Sequence, residues 1–149
     1  MAIFDQINED IKAAMKNREK EKLEALRNIK KVMLEAKTSK GAGAELTDDE
    51  SLKIIAKLAK QGTDSAQIYQ QQGRTDLYDQ EMMQVKVFES YLPEKITGEK
   101  LFGIIKDIIT ETGASTMKDM GKVMGIASKK LAGQAEGKDI SDVVKRLLQ

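Results

Sequence analysis

Apolar side chains recur at every third or fourth position along almost the whole chain, and this period limits the fold more than any other feature. Ile3, Ile7 and Ile11 follow it near the start, and Ile140 and Val144 follow it near the end. Such spacing places the apolar residues on one side of an α-helix. No segment alternates polar and apolar residues as a half-buried strand would. The sequence therefore predicts an all-α protein.

Residues that start and stop helices divide the pattern into seven segments. We expect four longer helices over about 3–17, 19–38, 47–72 and 75–92, and three short ones over about 97–112, 115–132 and 139–148. Thr47 and Glu50 have the spacing of a capping box, in which each side chain pairs with a backbone amide of the other residue. Thr75 or Asp76 is expected to cap the fourth helix. Gly113 is expected to end the fifth in a left-handed conformation.

The only proline, Pro93, marks the predicted domain boundary. Proline cannot continue a helix, so the fourth helix must end before it. We predict an N-terminal helical domain over residues 1–93, a bundle of about four longer helices. A C-terminal subdomain of three short helices is predicted over residues 97–149.

The residue types that are missing limit the chemistry. The chain contains no histidine and no cysteine, which excludes disulfides, thiolate metal sites and Ser-His or Cys-His pairs. No glycine-rich phosphate loop precedes a helix, and no metal-ligand constellation is evident. We expect no catalytic residues, no metal and no cofactor. The first residues lack a signal-peptide pattern, and no apolar run approaches the roughly 20 residues of a membrane span, which predicts a cytoplasmic protein without membrane contact.

The net charge of +1 conceals two basic segments. Residues 114–149 have a net charge of +3, residues 12–31 have +5, and the rest of the chain is acidic. The cations of the C-terminal segment are Lys118, Lys122, Lys129, Lys130, Lys138, Lys145 and Arg146. A solvated helix surface would explain these cations. Alternatively, the glycine-rich loop between Lys130 and Lys138 exposes backbone amides and forms a site for phosphates.

The second basic segment predicts a stripe of Lys20, Arg27 and Lys31 along one helix. Glutamates interleave with this stripe, so pairs within the helix could neutralise it. Gly121 and Gly125 lie one turn apart in the sixth predicted helix. We expect them to let a neighbouring helix approach closely, since methionine and valine crowd the same segment. The alternative is that they admit a nucleic-acid backbone.

Several motifs together resemble a known family. They are "YLPEKIT" near the middle of the chain, "GASTMKDMGKVMG" after the fifth helix, and the closing "VVKRLL". The residues that carry the pattern are Tyr91, Leu92, Pro93, Gly113, Met120, Gly121 and Gly125. From end to end the chain resembles the YqeY family of small bacterial proteins. Its C-terminal part also resembles the tail of the B subunit of tRNA-dependent amidotransferases, a helical appendage that engages tRNA.

This resemblance implies an accessory protein that binds tRNA or another structured RNA without independent catalysis. One alternative is a protein–protein adaptor for the translation or amidotransferase machinery. Another is a carbon–nitrogen ligase with glutamine as amido donor, an activity that the relation to the amidotransferases would supply. The B subunit has a large region that binds ATP, and this chain contains nothing similar.

Overall fold

A computed structural model describes all 149 residues and confirms that the protein is all-α. The helices are α1 (Ile3–Lys16), α2 (Lys20–Lys40), α3 (Asp48–Gln71), α4 (Thr75–Glu89), α5 (Gly98–Thr112), α6 (Met120–Lys130) and α7 (Gly137–Leu148), with a 3₁₀ turn over Met117–Asp119. There is no strand. The backbone divides into an N-terminal unit, Met1–Leu92, and a C-terminal unit, Pro93–Gln149. None of the helices combines the length and the apolar character needed to cross a membrane.

The N-terminal unit is built around α2, which contacts α1, α3 and α4. Its core contains one buried aromatic residue and otherwise aliphatic and methionine side chains, as a chain with few aromatics requires. The core residues include Ile7, Leu26, Ile29, Met33, Ile55 and Phe88. Burial of each large apolar side chain contributes about 1.5–3 kcal/mol, and these contacts hold the helices together.

The α3–α4 hairpin packs along a seam of small residues. Ala59, Gly62 and Ala66 are buried on the α3 side, and Val85 of α4 lies opposite Gly62. Helix α3 is unbroken through Gly62, and the missing side chain of this residue allows close packing against α4.

The C-terminal unit is a three-helix arrangement in which α5, α6 and α7 contact one another. Its core residues include Leu101, Ile105, Ile108, Val123, Ala127, Leu131, Ile140 and Val144. The segment before α5 joins this core through Ile96, which is buried and whose backbone N–H donates to the carbonyl oxygen of Gln134 at 2.8 Å.

One predicted helix cap and one predicted helix start are wrong. The fourth helix was expected to follow a cap at Thr75 or Asp76, yet Thr75 is already helical and Arg74 precedes it as the N-cap residue. The Asp76 carboxylate is held by the guanidinium of Arg74, at 3.0 Å in the shorter contact, and makes no cap. Helix α7 starts at Gly137 rather than Asp139.

The capping box of α3 forms in part. Thr47 Oγ1 accepts the backbone N–H of Glu50 at 3.1 Å, as predicted. The Glu50 carboxylate accepts a hydrogen bond from Lys40 Nζ at 2.8 Å, and this contact is the main reason that the pKa of Glu50 is lowered. Gly113 ends α5 with φ of 70°, which confirms the predicted left-handed cap.

Candidate nucleic-acid interface

The start of α6 is fixed by a turn that the sequence largely specifies. The carboxylate of Asp119 accepts the backbone N–H groups of Ser115 at 3.0 Å and Thr116 at 3.4 Å, and Thr116 completes the reciprocal capping box. These two hydrogen bonds are the main reason that the pKa of Asp119 is lowered, and the nearby charge of Lys122 adds to the effect. These hydrogen bonds and the capping box stabilise the turn that leads into α6.

The inner side of α6 belongs to the core of the C-terminal unit. Val123 and Ala127 are fully buried, and Met120 and Met124 are partly buried against the same cluster. These two methionines of the segment therefore pack against the core. Met117, in the preceding 3₁₀ turn, is 42 % exposed and is the exception.

The outer side of α6 carries two neighbouring rows of exposed residues at i, i+4 spacing. One row is Gly121, Gly125 and Lys129, and the other is Lys118, Lys122, Ile126 and Lys130, with Lys118 contributed by the 3₁₀ turn. We call these seven residues the α6 face. Residues at i and i+4 lie one above the other on a helix, so glycine backbone and lysine side chains alternate over one continuous surface.

The glycines of the α6 face do not pack against another helix. We expected Gly121 and Gly125 to permit a neighbouring helix to approach, and this expectation is wrong. A β-carbon built on either residue would have no atom of another part of the protein within 4 Å. Both positions are exposed helical residues with open space above them, so the missing side chains serve no packing within this chain.

The lysines of the α6 face are free of carboxylate partners. Helix α6 contains no aspartate or glutamate. The four ion pairs of the protein are Lys12–Glu9, Lys37–Glu45, Lys40–Glu50 and Arg74–Asp76. Lys118, Lys122, Lys129 and Lys130 are exposed and take part in none of these pairs. The charge of Lys122 acts on the nearby Asp119, whose pKa it helps to lower.

Two backbone amides of the glycine-rich loop between α6 and α7 are bonded within the loop itself. The backbone N–H groups of Gln134 and Ala135 both donate to the carbonyl of Leu131, at 2.9 and 3.2 Å. Leu131 and Ala132 are buried. These two amides are therefore not free to bind a phosphate, and the phosphate site in the rest of this loop stays a prediction.

The remaining C-terminal cations lie on α7 and form a separate, mixed surface. Lys138, Lys145 and Arg146 are exposed, but Asp139 and Asp142 lie on the same helix between them. The Arg146 guanidinium lies 5.9 Å from the ring centre of Phe102. The seven predicted C-terminal cations thus divide into four on the α6 face and three on a helix with interspersed acids.

The stripe on α2 is exposed as predicted, at Lys20, Arg27 and Lys31. None of its cations forms an ion pair with the interleaved glutamates. Arg27 and Lys31 of the stripe line a shallow surface depression together with Leu34, which is 43 % exposed. Leu34 on this stripe and Ile126 on the α6 face were not predicted from the sequence. Both are apolar residues outside the helical spacing of the core, which is a signal that the sequence contains.

The two motif residues before Pro93 have a packing role in the N-terminal unit. Tyr91 and Leu92 pack against its core. The Tyr91 hydroxyl donates a hydrogen bond to the Asp10 carboxylate of α1, and no local sequence pattern predicts this contact. Burial, together with this hydrogen bond, raises the pKa of Tyr91 above its usual value.

Acidic residues do not gather anywhere into a group of three that could hold a metal ion. No curated protein sequence matches the chain. The model of one family does match: it is described as Yqey-like protein, and it covers residues 4–148. That range takes in both units, the Tyr91-Leu92-Pro93 motif and the whole α6 face. The chain therefore belongs to the YqeY family.

Proposed function

We propose that this protein is an accessory module that binds structured RNA, with tRNA as the first candidate, through the α6 face. The observation that carries the proposal is the pair Gly121 and Gly125 on an exposed, cationic helix surface. A glycine inside a helix costs up to about 1 kcal/mol relative to alanine. Within the chain nothing occupies the space that these glycines leave open. A ligand that approaches the helix backbone would fill that space.

Electrostatics favours an anionic ligand at this surface. Lys118, Lys122, Lys129 and Lys130 are exposed. The helix that carries the last three contains no acid, while Lys118 lies next to Asp119 in the preceding turn. Lysine acts as a point charge that contacts phosphate without a fixed planar geometry. Contacts to phosphate position a nucleic acid and carry little sequence information. Several tRNAs should therefore bind with similar affinity.

The resemblance of the C-terminal part to the tail of the amidotransferase B subunit supports tRNA over other structured RNAs. The α2 stripe of Lys20, Arg27 and Lys31 is a second exposed cationic surface, and it is proposed as an auxiliary contact. Both surfaces rely on phosphate recognition, so binding should weaken steeply as salt is added.

The test is a tRNA titration of the wild type and of a Lys122→Ala/Lys129→Ala/Lys130→Ala variant at several salt concentrations. The variant should bind more weakly, and its log–log salt slope should fall by roughly one unit for each lysine removed. A matched control replaces Lys53, Lys57 and Lys60, three exposed lysines of α3, with alanine. This control removes the same charge and should leave affinity and slope much closer to those of the wild type.

A second variant tests the glycines rather than the charges. Gly121→Ala/Gly125→Ala keeps every lysine and should weaken tRNA binding, because two methyl groups then separate the RNA from the helix. Loss of folding could not explain the weaker tRNA binding, because the same change should not lower thermal stability. Equal affinities for the wild type, the lysine variant and the α3 control would refute the proposal.

A protein adaptor is the second candidate, and the exposed apolar residues of the C-terminal unit favour it. Ile126 on the α6 face is 39 % exposed, and Met117 lies just before the helix. An adaptor that binds a protein partner through these side chains should lose affinity on Ile126→Ser and show little dependence on salt. Salt dependence therefore separates the two candidates in one series of measurements.

A further inference from the structure

We propose that the α6 face selects double-helical RNA over single-stranded RNA. This inference rests on the proposed function and specifies the form of RNA that the same surface accepts. Three properties of the described side chains carry it: where the aromatic residues lie, which cations form the face, and how those cations are spaced.

Proteins that hold single-stranded RNA without sequence preference stack bases on aromatic side chains. This protein has six aromatic residues, and none lies on α6. Phe88 is buried in the N-terminal core, and Phe4 lies beneath the ammonium of Lys37 at 4.3 Å from its ring centre. The Tyr91 hydroxyl is bonded to Asp10. Tyr69 and Tyr78 are partly buried on α3 and α4. The α6 face thus offers no aromatic surface for an unstacked base.

Arginine can replace an aromatic ring in stacking because its guanidinium is planar. The C-terminal unit contains one arginine, Arg146, which lies on α7 above Phe102 and not on the α6 face. All four cations of the face are lysines, which bind phosphate but do not stack. A single strand would therefore gain from this surface only the charge contacts and would still lose the conformational freedom of its bases and backbone.

The spacing of the lysines suits a backbone that is already ordered. Lys122 and Lys129 lie within about 20° of each other around the helix and about 10.5 Å apart along its axis. The backbone of Gly125 lies between them without a side chain above it. A duplex presents phosphates at fixed positions and a higher density of charge than a single strand. A duplex can therefore contact Lys122 and Lys129 at the same time without losing conformational freedom first.

The experiment compares two RNA probes on the intact protein: a hairpin with a stem of about 16 base pairs, and an oligouridine with the same number of nucleotides. Three phosphates neutralised by Lys122, Lys129 and Lys130 give a log–log salt slope of about −2.7 on a duplex and about −2.1 on a single strand. At physiological salt this difference corresponds to roughly threefold tighter binding of the hairpin. Gly121→Ala/Gly125→Ala should remove most of that preference while leaving the thermal melt at or above that of the wild type.

A gain-of-function variant tests the cause of the selectivity. Ile126→Tyr places an aromatic ring on the α6 face beside the glycines, where it can stack with a base. Oligouridine affinity should rise by about fivefold or more, since stacking on one aromatic side chain has a large effect. The hairpin, whose bases are already stacked, should gain much less.

The outcomes distinguish this inference from the function on which it rests. A steeper slope and tighter binding for the hairpin would support both. Equal or tighter binding of oligouridine, still weakened by removal of Lys122 and Lys129, would overturn the duplex selectivity and leave RNA binding in place. Binding of neither probe in a lysine-dependent manner would overturn RNA binding itself and this inference with it.

Discussion

Gly62 of α3 lies so close to Val85 of α4 that a β-carbon on Gly62 would be 2.6 Å from Cγ2 of Val85. Real β-carbons essentially never approach another atom this closely, so the two helices pack at a distance that only glycine permits at this point. Among the helical glycines of this chain Gly62 has a packing role, whereas Gly121 and Gly125 have none. This contrast yields two opposite predictions for the same substitution.

Gly62→Ala should destabilise the protein. Overpacking costs typically about 1–3 kcal/mol, and the better helix propensity of alanine returns at most about 1 kcal/mol. We expect a net loss of about 1 kcal/mol in the free energy of unfolding, measured by urea denaturation with circular dichroism. Val85→Ala in the same background should recover part of the loss, and strict additivity of the two changes would contradict the packing argument.

Gly121→Ala and Gly125→Ala should each stabilise the protein by about 0.4–1 kcal/mol. Both glycines are helical, exposed and without a neighbour that a methyl group would touch. The measurement is the same urea titration, with a thermal melt of each variant alongside. A marked loss of stability would restore the sequence-based expectation that these residues face a helix.

Tyr91→Phe should lower stability by about 1 kcal/mol, because it removes a hydrogen bond to a carboxylate. The site is only half-buried, so solvent screens part of the interaction. The variant keeps the packing of the ring and loses only the hydroxyl. Ser90→Ala, which removes the neighbouring exposed hydroxyl, is a control for the loss of a local hydrogen bond.

The same tyrosine predicts a dependence on alkaline pH. Its pKa is raised in the folded state by burial first and by the Asp10 hydrogen bond second. The stabilisation is therefore complete below the unfolded pKa of about 10 and is lost as pH rises beyond that value. Wild type should lose stability more steeply than Tyr91→Phe above about pH 10. Parallel curves for the two proteins would show that the hydroxyl is not coupled to folding.

Asp119 predicts a dependence on acid pH. Its pKa is lowered by the N–H groups of Ser115 and Thr116, so its contribution is present above the unfolded pKa of about 3.9 and is lost as pH falls through the lower folded value. Asp119→Asn should weaken this dependence between about pH 5 and 2, followed by circular dichroism in urea. Asp107→Asn, on the exposed side of α5, is the matched control and should retain the dependence of the wild type.

The purified protein should show neither glutamine hydrolysis nor ATP turnover. The chain has no histidine and no cysteine to act as a general base or a thiol nucleophile. The measurement is release of glutamate and of inorganic phosphate, with and without tRNA. Activity that survives repurification and disappears on substitution of one named carboxylate would contradict an accessory role.

Local signals in the sequence determined the helical content and most helix ends. Apolar spacing at 3.6 residues predicts a helix whatever it packs against, and Gly113 and Thr47 act on backbone amides within one turn. In α6 the buried residues Val123 and Ala127 have the same helical spacing. The predicted cap of the fourth helix was wrong, because Thr75 and Asp76 are already helical and the Asp76 carboxylate accepts from the guanidinium of Arg74.

Only the tertiary structure decided what each glycine and each polar contact does. The sequence shows glycine at 62, 121 and 125 in similar helical surroundings, but whether another helix lies above a residue depends on how separate segments pack. The Tyr91–Asp10 hydrogen bond joins residues 81 positions apart, and in the turn after α6 the amides of Gln134 and Ala135 donate to the carbonyl of Leu131. Helical period is a property of neighbouring residues, whereas open space and long-range contacts are set by the packing of the whole unit.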